Sequence, residues 1–120
     1  IDDKEMYLMA TVSNIFIDQG ATFTTTVTIN DSTGSALDLT GYTALAQIRK
    51  TYASTTSTSF TSTFATDRTT GQITISLTNT QTASLESGRY VYDVLITDSS
   101  DVKTRVVEGI ATVNPSVSRS

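Results

Sequence analysis

The chain has 120 residues, enough to bury one real hydrophobic core but not two. Its formal charge of −4 is spread along the chain, with no cluster of Lys and Arg, which excludes the electrostatic footprint a nucleic acid requires. It has no cysteine and no histidine, and this excludes disulfides, thiolate chemistry, imidazole bases and the usual zinc ligands.

Ser and Thr make up about a third of the chain, while charged residues are only 17%. Threonine suits a half-solvated pleated surface and is stiff at χ1, so this bias favours strands. The 38% of hydrophobic residues sets the chain apart from a disordered Ser/Thr-rich segment. No apolar run approaches the length of a membrane span, and the first residues carry no signal-peptide core. The lack of cysteine fits synthesis in a reducing cytoplasm.

In chain order, IDDKEMYL is charged and non-periodic, and residues 1–8 read as a tag remnant or the end of a linker. Residues 9–120 then form a single domain. NIFIDQG (14–20) is a short first strand ending at Gly20. ATFTTTVTI (21–29) alternates Phe23, Thr25, Val27 and Ile29 against Thr22, Thr24, Thr26 and Thr28, giving one apolar-leaning face and one of pure threonine. NDSTGS (30–35) is turn chemistry, and LDLTGY (37–42) bridges to a strand at 43–51 with Ala44, Ala46 and Ile48 on one face. TYASTTSTSFTSTFAT (51–66) suits either a mobile loop or an edge strand around Phe60 and Phe64. DRTTG (67–71) is a turn, QITISLT (72–78) points Ile73, Ile75 and Leu77 inward, and NTQTASLES (79–87) allows one helical turn with Leu85 beneath it. GRYVYDVLITD (88–98) and VKTRVVEGIATVN (102–114) pair as a hairpin across DSSD, and Pro115 ends the last strand. About seven short strands with turn signals between them predict an all-β antiparallel sandwich.

ESGRYVYDVLITD (86–98) carries the most specific pattern. Immunoglobulin-type sandwiches enter strand F with a tyrosine two residues before a cysteine. Here Glu86, Gly88 and Tyr90 are in place, and Tyr92 stands where the cysteine would be. This reads as a structural corner in which the Tyr90 hydroxyl returns to upstream backbone and the Tyr92 ring fills the core space a disulfide would occupy. Arg89 and Asp93 share the other strand face but lie about 13 Å apart, so they cannot pair with each other. Arg89 is expected to meet an acid on a neighbouring strand, Glu108 or Asp18.

Catalysis is not expected. No histidine is present to activate a serine, no G-x-S-x-G elbow occurs, and Lys50 and Lys103 are the lysines within the strand region. Asp31, Asp98 and Asp101 offer too few carboxylates at fixed spacing for calcium, so neither a metal nor another cofactor is expected. Asn30 opens an N-D-S sequon, a short motif that matters only on a secretory route. A glycan site would need exposed rings, and Tyr42, Tyr52, Phe60 and Phe64 are the candidates. The threonine face of Thr22, Thr24, Thr26 and Thr28, uncharged and β-prone, is a candidate interface with another subunit.

Three segments carry a family resemblance: GATFTTTVTINDSTGSALDLTGYTALAQIRK, GQITISLTNTQTASLESGRYVYDVLIT and RVVEGIATVNPSVSR. They resemble small immunoglobulin-like virion proteins of tailed phages, of the cyanophage and marine phage type, and more distantly the N-terminal domain of siphophage upper baseplate proteins. The D-L-T-G-Y turn, the A-x-I-R strand and the G-R-Y-x-Y-D-V hairpin are its markers. The resemblance implies an immunoglobulin-like β-sandwich, made in the host cytoplasm and built into the head, neck or tail of a virion. Such a module associates with itself or with other virion proteins and performs no chemistry. The alternatives are an adhesion module for host-surface glycan and, more weakly, a bacterial cell-surface immunoglobulin-like module. Neither a nucleic acid nor a membrane is an expected partner.

Overall fold

The computed structural model describes residues 11–31 and 33–116. The supposed remnant 1–8, Ser32 of the first turn and residues 117–120 fall outside the described residues. Nine strands are present among them: β1 (Thr11–Val12), β2 (Ile15–Asp18), β3 (Phe23–Thr28), β4 (Thr43–Arg49), β5 (Thr58–Ser59), β6 (Thr61–Phe64), β7 (Gln72–Leu77), β8 (Gly88–Thr97) and β9 (Lys103–Asn114). A 3₁₀ turn covers Arg68–Thr70, and a short helix, α1, spans Asn79–Ala83. The long sheet runs β1-β9-β8-β4-β5 with β2 also on β9, and the short sheet runs β3-β7-β6. The pairings β4-β8-β9 and β3-β7-β6 are those of an immunoglobulin-type sandwich, C-F-G against B-E-D.

Nine strands reduce to seven strand paths. β1 and β2 are one edge strand broken at Ser13 and Asn14, and β5 and β6 are separated only by Phe60, where the chain passes from the long sheet to the short one. One pairing departs from the antiparallel expectation: β1 and β2 run parallel to β9, with Ile15 opposite Ala111 and Ile17 opposite Val113. Short connections enforce antiparallel pairing only between consecutive strands. This edge strand and β9 are joined by most of the chain, so that rule has no hold on them.

The core follows from the alternation. Ile15 and Ile17, Ala46 and Ile48, Ile73, Ile75 and Leu77, and Tyr92, Val94 and Ile96 all point between the sheets and are buried. A bulge in β9 skips Val106 in the register between Val94 opposite Val107 and Leu95 opposite Arg105, so Val106 and Val107 are buried in succession. Three rings span the interior: Phe23 and Phe60 lie 6.1 Å apart between centroids, and Phe60 and Tyr92 also 6.1 Å apart, in edge-on contact. Below them α1 closes one end of the sandwich. A capping box between Thr78 and Gln81 starts it. Buried Thr82 then ties it to the β2–β3 turn, its hydroxyl donating to Ala21 O (2.9 Å) and accepting from Gly20 N–H (3.0 Å).

The broken edge strand is held by a close approach. Gly109 pairs with Tyr92, and a Cβ at Gly109 would stand 2.1 Å from the Ser13 backbone oxygen. Only glycine lets the edge strand lie this near β9. The break is sealed by Ser13 N–H donating to Glu108 O (2.8 Å) and by Ile110 N–H donating to Asn14 Oδ1 (3.0 Å). Gly109→Ala is expected to cost about 1–3 kcal/mol, as overpacking does, and to loosen Ile15–Asp18 selectively. Amide exchange across β2 and a urea titration measure both effects.

Candidate functional site

The corner residues occupy the start of β8. Gly88 opens the strand at φ 137, a conformation that glycine adopts without strain. The Tyr90 hydroxyl donates to Glu86 O at 2.8 Å, and the Lys50 ammonium lies 4.7 Å from the centre of the Tyr90 ring. Tyr92 is 2% exposed, and its hydroxyl donates to Ser13 O, joining the middle of β8 to the broken edge strand. Burial raises the pKa of both phenols above 10.0; the Glu86 charge adds to this at Tyr90, and the bond to Ser13 opposes it at Tyr92. These four residues serve the interior and the corner.

The outer face of the long sheet is different in kind. Arg105 lies between two acids, with Nε 3.2 Å from Asp93 Oδ2 and Nη1 3.2 Å from Glu108 Oε2. The acid expected to pair with Arg89 is therefore taken: Glu108 stands opposite Asp93 and both are engaged by Arg105. Asp18 accepts from the Asn114 amide (3.4 Å), and Arg89, opposite Thr112, forms no ion pair among the described residues. Arg89 lies four positions from the Asp93–Glu108 pair in the unshifted part of the register, about 13 Å along the strand, so Glu108 is out of its reach. The β9 bulge separately turns Arg105 onto the outer face opposite Leu95, within reach of Asp93. Arg49 donates to Ser54 O (2.8 Å) and to Gln47 Oε1 (3.0 Å), pinning the loop after β4 against the sheet. That loop holds Tyr52, 69% exposed, over a cleft of about 210 Å³ lined by Gln47, Arg49, Val91, Asp93 and Arg105. Of the other rings considered as exposed, Phe60 is buried, while Tyr42 and Phe64 are half-buried against the core.

The opposite outer face, on the short sheet, is uncharged throughout. Its cross-strand rows are Thr24–Ser76–Thr61, Thr26–Thr74–Thr63 and Thr28–Gln72. Thr26 and Thr74 share a hydroxyl hydrogen bond of 2.9 Å. Thr22 is exposed but precedes β3, so it belongs to the turn and not to this face.

The loops β3–β4, β6–β7 and β8–β9 meet at one end. Three D-x-T triplets shape them: Asp31 accepts from Thr33, Asp38 from Thr40 and Asp67 from Thr69, each through both the backbone N–H and a hydroxyl at 2.6 Å. Asp98 does the same for Ser100 N–H and Val102 N–H. Arg68 holds the long β3–β4 connection from below: its guanidinium covers the Phe64 ring at 4.1 Å and donates to Tyr42 O (2.8 Å). The repeated D-x-T spacing is the sequence signal for this end. The carboxylates are spent on their own turns, and among the described residues no group of three or more Asp or Glu converges on one point that a metal ion would fill.

No family model matches the chain, and no curated protein matches it. Among solved structures, the Listeria monocytogenes internalin-like protein lmo2027 is similar over 88% of this chain at 19% identity, with a TM-score of 0.46. The chain spans only 28% of the length of that protein.

Two outcomes are expected. Tyr92→Ala costs about 3–5 kcal/mol, the range for large core truncations, read as a shift of the urea midpoint. In acid, the hydroxyl and backbone hydrogen bonds from Thr33, Thr40 and Thr69 hold Asp31, Asp38 and Asp67 below their ordinary pKa of 3.8. A depressed folded pKa contributes stability above the unfolded value and loses it as pH falls through the folded one. Urea midpoints therefore drop below about pH 4. In an Asp31→Asn, Asp38→Asn, Asp67→Asn triple variant the drop is shallower, because the amide oxygen still closes each turn but does not titrate. An acid limb of unchanged slope counts against this assignment.

Proposed function

We propose that the chain is a non-catalytic structural module of a tailed-phage virion, docking on another protein of the particle through the outer face of its long sheet. The observation that supports docking is the placement of exposed apolar side chains. Of the six large ones among the described residues, Val12, Phe16, Leu45 and Ile110 project from that face, Tyr52 overhangs it, and Val102 sits in the adjoining β8–β9 loop. Exposed apolar surface gathered on one side marks an association surface, and the interleaved Tyr and Arg are the residue types that anchor such contacts.

Area separates the two faces. At roughly 3.3 Å per residue and 4.8 Å between strands, the long sheet presents about 590 Å² in flat projection and the short sheet about 250 Å². A stable interface takes about 800 Å² from each partner, which the long sheet approaches and the threonine face does not. The virion placement rests on the sequence resemblance of the three segments quoted above, and the particle protein it implies is the proposed partner.

A second reading, a host-surface glycan module, is favoured by one observation: Tyr52 stands as an aromatic shelf beside Gln47, Asp93 and Arg105. One experiment separates the two. Phage particles made with the wild-type chain, with Leu45→Glu/Ile110→Glu, or with Tyr52→Ala are purified and the chain quantified by mass spectrometry. The double variant is expected to be incorporated at least tenfold less. Incorporation at the wild-type level argues against the docking face, and absence of the wild-type chain from particles argues against the virion. Normal incorporation of Tyr52→Ala with lost adsorption to host cells selects the glycan reading.

A further inference from the structure

β3 is an open edge. Among the described residues it pairs only with β7, through six consecutive positions without a bulge. Natural edge strands are usually blunted by a lysine, a proline, a bulge or shortness. β3 has none of these: from Ala21 to Ile29 the chain contains no charge, no proline and no glycine.

The direction of its free backbone groups follows from the ladder. Ile29 N–H donates to Gly71 O (2.7 Å). Antiparallel bonding alternates along a strand, so Val27, Thr25 and Phe23 exchange bonds with β7, while the N–H and C=O groups of Thr24, Thr26 and Thr28 point out of the open edge. On the other side of β7, Ala65 N–H donates to Gln72 O (3.1 Å), which places the even positions of β7 on β6 and fits the same alternation.

We infer that β3 pairs antiparallel with β3 of a second copy of this chain, across a two-fold axis at Thr26. Thr26 then faces Thr26, and Thr24 faces Thr28 in both directions. Every outward N–H and C=O finds a partner, and the hydrogen-bonded pairs are threonine on threonine, a favourable cross-strand combination. A chain of net charge −4 opposes no like charges at this seam. The pairing also covers Phe23 and Val27, which are half-buried on the open side of the core, and joins two short sheets into one of six strands. This contact leaves the long sheet free and does not depend on the docking proposed for it. A six-residue seam lies below the roughly 1,200 Å² of stable interfaces, so the dimer is reversible in dilute solution.

Sedimentation of the full chain from about 10 μM to about 1 mM, the range for so small a contact, is expected to show mass rising toward a dimer. Thr26→Pro removes an outward N–H and leaves the β7 ladder intact. It is expected to weaken the dimer at least tenfold, with only the small fall in urea midpoint that loss of the Thr26–Thr74 hydroxyl bond brings. Thr26→Lys, which sets two ammonium groups against each other at the axis, serves if the proline variant does not fold. Thr26→Cys, the sole cysteine, is expected to cross-link in the absence of reductant, whereas Thr63→Cys is not. A wild-type chain that stays monomeric throughout overturns the inference. So does dimerisation of Thr26→Pro or Thr26→Lys at wild-type strength. Leu45→Glu/Ile110→Glu should dimerise normally, so failure at this seam and failure of the long-sheet docking are told apart.

Discussion

The contact on which the rest of the structure depends is the one between Tyr92, Gly109 and Ser13. An immunoglobulin-type sandwich with a disulfide crosses its core covalently. This chain crosses it with rings, Phe23 against Phe60 against Tyr92, and ends the line in a hydroxyl donating to a backbone oxygen of the edge strand. Gly109 is a condition of this arrangement, since any side chain there would occupy the place of the Ser13 backbone. One tyrosine thereby fills the centre of the core and also fixes the depth at which the edge strand docks. A buried hydroxyl without a partner would be costly, so ring and edge strand each require the other.

Among the described residues the interior is apolar apart from Thr82, the tyrosine hydroxyls and the Ser62 hydroxyl, so the distinctive chemistry lies on the surfaces, which differ from one another. The long sheet carries apolar side chains, arginines and acids in alternating rows around Arg105. The short sheet carries hydroxyls and one amide. The loop end carries carboxylates that are committed to their own turns. On the reading proposed above, these surfaces are where docking and pairing would take place. The exposed ion pairs contribute little to stability, about 0–1 kcal/mol each; Arg49 and Arg68 matter more through the loops they hold.

Much of this was legible in the sequence because one-sided burial imposes a period of two. β3, β7 and β8 alternate cleanly, and the E-x-G-x-Y-x-Y pattern located the corner at Tyr90. What escaped was what the period does not encode. The parallel docking of β2 on β9 joins residues nearly a hundred positions apart, and no local pattern announces it. The bulge at Val106 turned Arg105 onto the outer face beside Asp93 and Glu108, while Arg89 lay four positions from that pair, opposite Thr112. Tyr52 lies in a segment of serine and threonine that suits loop and edge equally, and its position over the cleft depends on Arg49 reaching Ser54 O. The three D-x-T turns were visible as turn chemistry, but that they meet at one end follows only from the topology.

The parallel edge strand has a mechanical consequence. β2 and β9 run in the same direction, so a pull applied between Thr11 and Asn114 acts along both strands in opposite senses. The bonds of β1 and β2 to β9 are then loaded together, in shear, and cannot be opened one at a time as in a peeled hairpin. The Tyr92 hydroxyl and the Ser13 N–H bond to Glu108 lie across the same line of force. Resistance to such a pull is governed by the barrier to unfolding and not by equilibrium stability. A small domain without a single covalent cross-link can thus bear tension between its two ends through the short stretch of backbone that Gly109 allows to come close.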